Sequence, residues 1–234
     1  MSKTKKAVII GFVLVGIGVI IGFIGIAIGG FKFPNGAVDL TTMKALHAEK
    51  KTVQIADAFD KIEIAGASSM DIEICKSKTG KNYVEYYDTD DWTSRVDVKD
   101  HVLKFTTDDK GKHKAVVSLG FGKDTAARLY LADAEYKEIS VTTLSGYVTI
   151  QDVNAGTVNV SASSGDIDLE SCDAEKFDIT TSSGDVDMEI TAGRTYRFET
   201  KTNSGAVDVP DGDADSDYLC KIVTSSGDVD VKQK

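Results

Sequence analysis

The 234-residue chain has few of the side chains from which catalytic, metal and disulfide sites are usually built. Only three histidines and three cysteines occur, namely His47, His101, His113, Cys75, Cys172 and Cys220. The histidines stand in no spacing typical of a metal site or a catalytic triad. An odd and sparse set of cysteines argues against a disulfide framework. The composition therefore predicts neither a catalytic residue nor a cofactor.

Basic side chains are also in deficit. The net charge is −10 at pH 7, and residues 1–33 hold four lysines and no acid, so the rest of the chain carries −14. Residues 151–234 alone have 18 acidic and 7 basic residues. This balance argues against binding to nucleic acid or docking on an anionic membrane. It fits a domain held off a negatively charged envelope, or one that meets cationic partners.

One long apolar run is present, at residues 7–31, with no charged or polar side chain. As a helix it would reach about 37 Å, which is enough to span a bilayer. Three lysines precede it, so residues 1–6 are predicted to be a cytoplasmic tail and the domain to lie outside the cell. A cleaved signal peptide is the alternative, although its apolar region would be only about 7–15 residues. Both interpretations export the domain.

A Ser-Gly step returns five times in the second half of the chain. The copies are 19, 19, 21 and 22 residues apart. Their glycines, here called the corner glycines, are Gly146, Gly165, Gly184, Gly205 and Gly227. Self-similarity at a period of about 20 residues predicts a stacked repeat.

Each copy carries four apolar positions at fixed offsets from its corner glycine, seven and five residues before it and two and four residues after it. In one copy these are Phe177, Ile179, Val186 and Met188. The two-residue spacing within each pair is strand periodicity. Cys220 occupies the first position of the last copy, so we expect it to be a small buried hydrophobe.

The Ser-Gly step predicts a sharp corner between the two strands of a copy. The third apolar position comes seven positions after the second. Because seven is odd, strand alternation alone would point the third position outward, so a corner must absorb one residue. Gly supplies the positive φ that this bend needs. Such coils stack about 4.8 Å apart. We therefore predict an all-β fold, a β-solenoid of coils of about 19–22 residues over 133–234, preceded by one transmembrane helix.

The region before the repeats predicts less regular β-structure. Residues 69–74 match the repeat with Met70 in the place of the glycine. Longer alternating stretches occupy residues 82–87, 95–106 and 115–121. We predict a linker over 32–52 and irregular coils or a β-cap over 53–132. At the other end the chain stops just after the last repeat, so its final strand is predicted to be an exposed edge.

Acidic residues recur one and three positions after the corner glycines and point outward. Carboxylates stacked about 5 Å apart repel, so they raise one another's pKa or recruit a cation. They form a candidate Ca²⁺ ladder of Asp166, Asp168, Asp185, Asp187, Asp228 and Asp230. The alternative is a solvated acidic face that keeps the solenoid soluble and blocks sideways strand addition. Tyr147 and Ala206 interrupt the pattern.

Three further groups have both a functional and a simpler structural interpretation. The serine before each corner glycine has no accompanying base, which favours a hydroxyl ladder over a nucleophile. The acidic run 211–217 resembles the start of an EF-hand loop but has Ser216 and Ile222 where Gly and Glu are required, which favours a solvated loop. Alternation favours partial burial over a glycan or peptide patch for Tyr83, Tyr86, Tyr87 and Trp92.

With these features in place, the chain resembles the DUF4097 "putative adhesin" family of Gram-positive bacteria. The resemblance covers residues 53–231 and rests on the Ser-Gly-Asp repeats, the strand at 59–64, and the Arg128-Leu-Tyr-Leu131 strand. It implies a β-solenoid tethered by one membrane helix, in some members encoded beside envelope-stress signalling systems. Ala132 stands where members usually have Pro. The family has no established catalytic residues, so the resemblance implies none here.

These observations favour a non-enzymatic interaction module at the cell envelope. One hypothesis is an adhesion or scaffold protein that contacts an envelope or cell-surface protein or polymer; the other is an accessory regulator of envelope-stress signalling that contacts membrane proteins of the same cell. A carbohydrate-cleaving β-helix enzyme is disfavoured, because its site needs long loops over one groove. We expect no nucleic-acid partner and no cofactor. Gly18-x-x-x-Gly22 and Gly25-x-x-x-Gly29 add self-association of the helix as a hypothesis.

Overall fold

The computed structural model describes residues 37–39, 44–45, 48–67, 70–89, 92–109, 116–118, 126–132, 135–191 and 193–234. All regular secondary structure in these ranges is β-strand, which confirms the all-β prediction. The predicted helix at 7–31 and its glycine motifs lie outside the described residues. Among the residues that are described, no helix has the length and apolar character needed to cross a membrane.

Nineteen strands are defined in the described ranges. They are β1 (Ala37–Asp39), β2 (Lys44–Ala45), β3 (Ala48–Ile55), β4 (Lys61–Ala67), β5 (Ile72–Lys76), β6 (Asn82–Thr89), β7 (Trp92–Lys99), β8 (Val102–Asp109), β9 (Val116–Ser118), β10 (Ala127–Leu131), β11 (Glu135–Ser145), β12 (Val148–Gln151), β13 (Asn154–Ser164), β14 (Ile167–Thr180), β15 (Val186–Ile190), β16 (Arg197–Lys201), β17 (Val207–Asp208), β18 (Leu219–Val223) and β19 (Val229–Gln233).

The strands of the repeat region form two mainly parallel sheets that share one core. The first sheet has the order β3-β6-β10-β5-β12-β14-β15-β19-β17, and the second has the order β7-β8-β4-β11-β13-β14-β18-β16. Strand β14 gives its first half to the first sheet and its second half to the second. The chain thus winds through six stacked coils, as a solenoid does.

We number the coils by their strands in chain order. Coil one is β4 and β5, coil two is β11 and β12, and coil three is β13 with the first half of β14. Coil four is the second half of β14 with β15, coil five is β16 and β17, and coil six is β18 and β19. Coils two to six each carry one Ser-Gly corner, between their second-sheet and first-sheet strands.

The apolar positions line up from coil to coil as the repeat predicts. In the second sheet Ile139 pairs with Val158, and Val158 with Phe177, and all three are fully buried. In the first sheet Val148 pairs with Ile72, so the stretch with Met70 in the glycine position is indeed the first coil. Burial of these columns against both neighbouring coils is the main favourable term that holds the stack together.

The last two coils stack in the reverse of their order in the chain. Strand β18 lies between β14 and β16, so that Cys220 pairs with Phe177 on one side and Phe198 on the other. Strand β19 lies likewise between β15 and β17. The prediction that the final strand, Val229–Gln233, is an exposed edge is therefore wrong. Coil five forms that end of the stack.

Side-chain chemistry explains this order. Coil six fits the repeat closely, and its apolar residues Cys220, Ile222 and Val229 are at most 1% exposed. Coil five has Thr200 in an apolar position and leaves Val207 42% exposed. Placing the better-matched coil between two others buries more apolar surface than the sequential order would. The atypical coil lies at the end, as expected of terminal repeats.

The corner glycines are required by both conformation and packing. Gly165 has φ of +132°, and a Cβ atom there would lie 2.1 Å from the carbonyl oxygen of Gly146 in the neighbouring coil. A Cβ atom on Gly146 would lie 2.4 Å from the carbonyl oxygen of Met70. The corners also hydrogen bond to one another, since the Gly165 amide donates to the Ser183 carbonyl at 3.0 Å. The predicted Ser-Gly corner is confirmed.

Two details differ from the sequence prediction. The stretch 95–106 is a hairpin, because Asp100 and His101 both have positive φ, which closes a tight turn between β7 and β8. The segment 32–52, predicted as a linker, contains β1, β2 and the start of β3, which pairs along its length with β6. Within β14, Ser171 has a positive φ and the adjacent Cys172 is buried.

Candidate interaction surface

The outward aspartates one position after the corner glycines form hydrogen bonds between coils. The carboxylate of Asp166 accepts the backbone amide of Asp185 at 2.9 Å, and the Asp185 carboxylate accepts the amide of Asp228 at 2.8 Å. Asp228 in turn accepts the amide of Ala206 at 2.7 Å. In aspartate the carboxylate is bonded directly to Cβ, and a side chain of this length reaches the amide of the next coil. These aspartates therefore have a structural role in holding adjacent corners together.

The same ladder explains why Ala206 interrupts the acidic pattern. Ala206 lies in coil five, at the end of the stack, so no further coil presents an amide for a carboxylate to accept. At the other end, Asp71 of coil one accepts the amide of Tyr147 at 2.9 Å. In stacking order the ladder thus runs from coil one to coil five. It is broken at Tyr147, which lies at an inner corner but has no carboxylate to accept an amide of coil three.

The aspartates three positions after the glycines form a second column without such bonds. Asp168 pairs in register with Asp187, Asp187 with Asp230, and Asp230 with Asp208. Partial burial, followed by the charges of Glu170 and Asp187, raises the pKa of Asp168. The contribution from the neighbouring charges, which is smaller than that from burial, is the mutual repulsion that stacked carboxylates predict.

The described residues contain no group of three or more His, Cys, Asp or Glu side chains arranged to hold a metal ion. The candidate Ca²⁺ ladder of Asp166, Asp168, Asp185, Asp187, Asp228 and Asp230 stays a prediction. Three of its members, Asp168, Asp187 and Asp230, stand side by side on three adjacent coils. In the acidic run 211–217, the Asp213 carboxylate accepts the Asp215 amide at 2.9 Å, which closes a local turn in an exposed loop.

Charge differs between the two outer faces of the solenoid. On the second sheet, acids lie beside bases: Lys104 pairs with Glu63 at 2.7 Å and Lys61 with Glu138 at 3.0 Å. The first sheet also has ion pairs, such as Arg128 on β10 with Glu73 on β5 at 2.7 Å. In the described part of the chain, several first-sheet carboxylates have no basic side chain within ion-pair distance. These are Asp166, Asp168, Glu170, Asp185, Asp187 and Asp208.

The serine column lies on the surface at the corners, where Ser164, Ser183, Ser204 and Ser226 are all exposed. Neighbouring serines are joined through the backbone, for example by the Ser226 amide, which donates to the Ser182 carbonyl at 3.1 Å. Of the histidines, His101 is exposed at the β7–β8 turn, while His47 and His113 lie outside the described residues. The geometry brings no described histidine to the serine column.

The aromatic group of the N-terminal coils is divided between core and surface. Tyr86 is 5% exposed and packs edge-on against Phe105, with ring centroids 5.6 Å apart. Tyr83 is half-buried and stacks on Tyr130 at 4.4 Å. The prediction that part of this group is buried is confirmed.

A cluster that sequence reasoning missed fixes the connection between coils four and five. Tyr196 is 1% exposed, and its hydroxyl donates to the Ala174 carbonyl at 2.7 Å. Arg194 pairs with Asp173 at 3.1 Å and lies 4.7 Å from the ring centre of Tyr218. These contacts bind the connection from coil four to coil five against the middle of β14, and so allow coil six to lie between coils four and five. In the sequence, this cluster is indicated only by the Arg194-Thr-Tyr196 segment that follows a repeat.

One corner differs from the others in its exposed residues. Leu144 is 61% exposed and Tyr147 is 57% exposed, and they flank the Ser-Gly step of coil two. Together with Val207 they are the large hydrophobic residues most exposed in the described structure. Two such side chains at one corner form a small apolar projection beside the acidic face.

The family model described as Toastrack DUF4097 matches residues 59–234. The chain belongs to the DUF4097 family. The resemblance drawn from the Ser-Gly-Asp repeats is thereby confirmed, over slightly shifted limits. No curated protein matches the chain as a relative.

A solved structure from Clostridium sporogenes shows the same fold. The putative cell adhesion protein from Clostridium sporogenes is 18% identical, with a TM-score of 0.59, and the match covers 81% of this chain and 100% of that one. The putative adhesin from Bacteroides fragilis is 16% identical, with a TM-score of 0.38, over 80% of this chain and 97% of that one. At 18% identity the likeness to the Clostridium structure extends to the fold and not to a binding partner.

Proposed function

We propose that this DUF4097 protein is a membrane-anchored interaction module without enzymatic activity, whose solenoid lies outside the cell and binds an envelope or cell-surface partner. The observation that carries this proposal is the uneven outer surface of a rigid stack. The first sheet presents unpaired carboxylates and the second sheet mostly paired charges, and the corner of coil two between them presents two exposed apolar side chains. The name given to the Clostridium protein, a putative cell adhesion protein, supports the same class of function.

Rigidity is what suits the stack to binding. Each inner coil is hydrogen bonded to a coil on both sides, and its corner is fixed by a glycine that admits no Cβ atom. A surface held this way loses little conformational entropy when a partner binds, so a modest contact area can give useful affinity. The partner should carry positive charge, because the unpaired carboxylates of the first sheet would attract it.

The compartment is inferred from the sequence. The apolar run at 7–31, preceded by Lys3, Lys5 and Lys6, supports a single-pass anchor with a cytoplasmic N-terminus. An acidic, disulfide-free domain is compatible with a location just outside the membrane. Self-association through the glycines of the run stays part of the proposal to be tested.

A second candidate is an accessory regulator that contacts membrane proteins of the same cell. About 20 residues separate the apolar run from Val53, and such a tether is too short to carry the domain across a thick wall. This short reach favours partners in or near the same membrane over partners on another cell.

The test combines exposure and contact in intact cells, using the full chain with a tag joined through a flexible linker after Lys234. External protease should remove the tag from intact cells, whereas loss only after lysis would contradict the outward orientation. A lysine-reactive crosslinker should then join the chain to another envelope component. Adducts with membrane proteins of the same cell favour the regulator, and adducts with wall polymer or external proteins favour adhesion. Absence of any partner would contradict the interaction module.

A further inference from the structure

The corner of coil two departs from the repeat at both positions that flank its Ser-Gly step. Two residues before the glycine, the other coils have polar residues, namely Ser163, Ser182, Asn203 and Ser225. One residue after it, coils three, four and six have aspartate. Coil two instead has Leu144 and Tyr147, which are 61% and 57% exposed. Coil two therefore exposes two large apolar side chains to solvent at positions where the other coils have small or polar residues.

These residues cost the stack local stability. The amide of Tyr147 still donates to the Asp71 carboxylate at 2.9 Å. Tyr147 offers no carboxylate near its Cβ, so it cannot accept the amide of Asp166 as Asp166 accepts that of Asp185. The other interruption, Ala206, costs nothing because it lies at the end of the stack. An inner corner that gives up a hydrogen bond and exposes apolar surface is where a functional contact is expected.

The surroundings define what such a contact would accept. Asp71 and Asp166 stand on either side of Tyr147 in the ladder, and neither has a basic side chain within ion-pair distance in the described part of the chain. The acidic column from Asp168 continues beside them. An apolar projection between carboxylates is complementary to a segment that presents apolar and basic side chains together. Tyrosine is also among the residues that most often dominate binding energy at interfaces.

We propose that Leu144 and Tyr147 anchor an extended segment of a partner protein in which apolar residues stand beside Lys or Arg. This inference rests on the proposed function, since it names the contact surface of the interaction module. The apolar side chains would supply the buried centre of the contact, and the flanking carboxylates would steer and orient the basic residues. A second copy of the chain is a poor occupant, because residues 151–234 carry a net charge of −11 and would repel each other.

The decisive variants restore the repeat. Leu144→Ser and Tyr147→Asp introduce the residues found at these positions in other coils, so the fold should be kept. The new carboxylate can accept the Asp166 amide, and the Tm of the double variant should stay level or rise by about 2–4 °C. Loss of binding in this variant could not be ascribed to unfolding.

Contact is tested in intact cells with the full chain carrying the photoreactive residue p-benzoylphenylalanine at position 147. The matched control places the same residue at Ser182, the equivalent of Leu144 at the exposed corner of coil four. We expect a discrete protein adduct from position 147 that is absent from position 182. Mass spectrometry should place the crosslink in a segment with adjacent apolar and basic residues. A synthetic peptide of that segment should bind the wild-type chain at least tenfold more tightly than the restored double variant.

Several results would overturn the proposal. These are equal adducts from positions 147 and 182, a crosslinked segment that is acidic or belongs to a second copy, and equal peptide affinity for the double variant. The lysine-reactive crosslinker separates the two levels of the argument. If it captures a partner equally from the wild-type chain and the double variant, the interaction module stands and the coil-two corner is not its contact. If neither reagent captures a partner, both proposals fail.

Discussion

Adding one methyl group at a corner glycine should separate two coils. In Gly184→Ala the new Cβ atom would lie 2.1 Å from the Gly165 carbonyl oxygen, and Gly184 has φ of +155°. The conformational strain costs about 1–2 kcal/mol. Relief of the overlap must move coil three from coil four, which stretches three hydrogen bonds near the corner. They are Gly165 to Ser183, Ile167 to Asp185, and Asp185 to the Asp166 carboxylate.

Each of these hydrogen bonds contributes about 1 kcal/mol, so we expect Gly184→Ala to cost about 3–5 kcal/mol in all. For a domain of this size the Tm should fall by about 10 °C, measured by far-UV circular dichroism. Gly193→Ala is the matched control: Gly193 has φ of +125° but no atom within 4 Å of an added Cβ. It should cost only the strain, about 1–2 kcal/mol. Equal losses of Tm in the two variants would refute the argument that stacked corners require glycine.

Three further predictions concern the carboxylates and the thiols. Because partial burial and neighbouring charge raise the pKa of Asp168 in the folded state, ionisation of this group disfavours folding as pH rises above the unfolded value of about 3.9. Asp168→Asn should therefore raise the Tm at pH 7 and leave it unchanged at pH 3. A lower Tm at pH 7 would contradict the destabilisation assigned to this partly buried carboxylate. Asp185→Ala should lower the free energy of unfolding in urea by about 1 kcal/mol, because the Asp228 amide loses its acceptor. Asp187→Ala removes only a repelling charge and should not lower it. Equal losses in the two variants would argue against the ladder. Iodoacetamide at pH 8 should label Cys75 in the native chain but not Cys172 or Cys220, because burial raises the pKa of both buried thiols to about 12. Labelling of all three thiols at one rate in the native chain would contradict this prediction and show that these coils open readily.

The solenoid itself could be predicted from the sequence because the repeat records the core directly. Residues such as Val158 and Phe177 recur at one offset from a glycine, and only a stack puts all members of such a column in the same environment. The corner followed from the odd spacing between two apolar columns. These are local properties of each copy, so they are visible without knowing which copies are neighbours.

The order of the coils is not a local property, and the sequence prediction failed there. Every copy presents the same columns, so coil six can pair with coil four as well as coil five can. The choice depends on differences in burial, to which Thr200 and Ala206 are the clues: both depart from the repeat in the coil that lies at the end. The buried Tyr196 and its partners, which hold the connecting segment, lie outside the periodic positions and so gave no repeat signal.

The candidate surface was only partly visible in the sequence. The acidic columns were predicted, but their two different roles were not, because the bonds from Asp166 and Asp185 to neighbouring amides depend on the exact stacking of the corners. Tyr147 was visible as an interruption of the pattern. Its significance became clear once the structure showed that the Ala206 interruption is explained by the end of the stack and that the one at Tyr147 is not.

The coil order is the central claim, since the ladder and the singular corner of coil two are both defined by it. Disulfides between corner serines test it most directly, in a chain with Cys75→Ser and with the inert buried thiols retained. Ser183 pairs with Ser226, and Ser226 with Ser204, in adjacent coils. The 183–226 and 204–226 cysteine pairs should therefore oxidise readily. The 183–204 pair spans two layers, about 9–10 Å, and should not. Rapid closure of the 183–204 pair with no closure of 183–226 would show that the coils stack in chain order and would contradict the account.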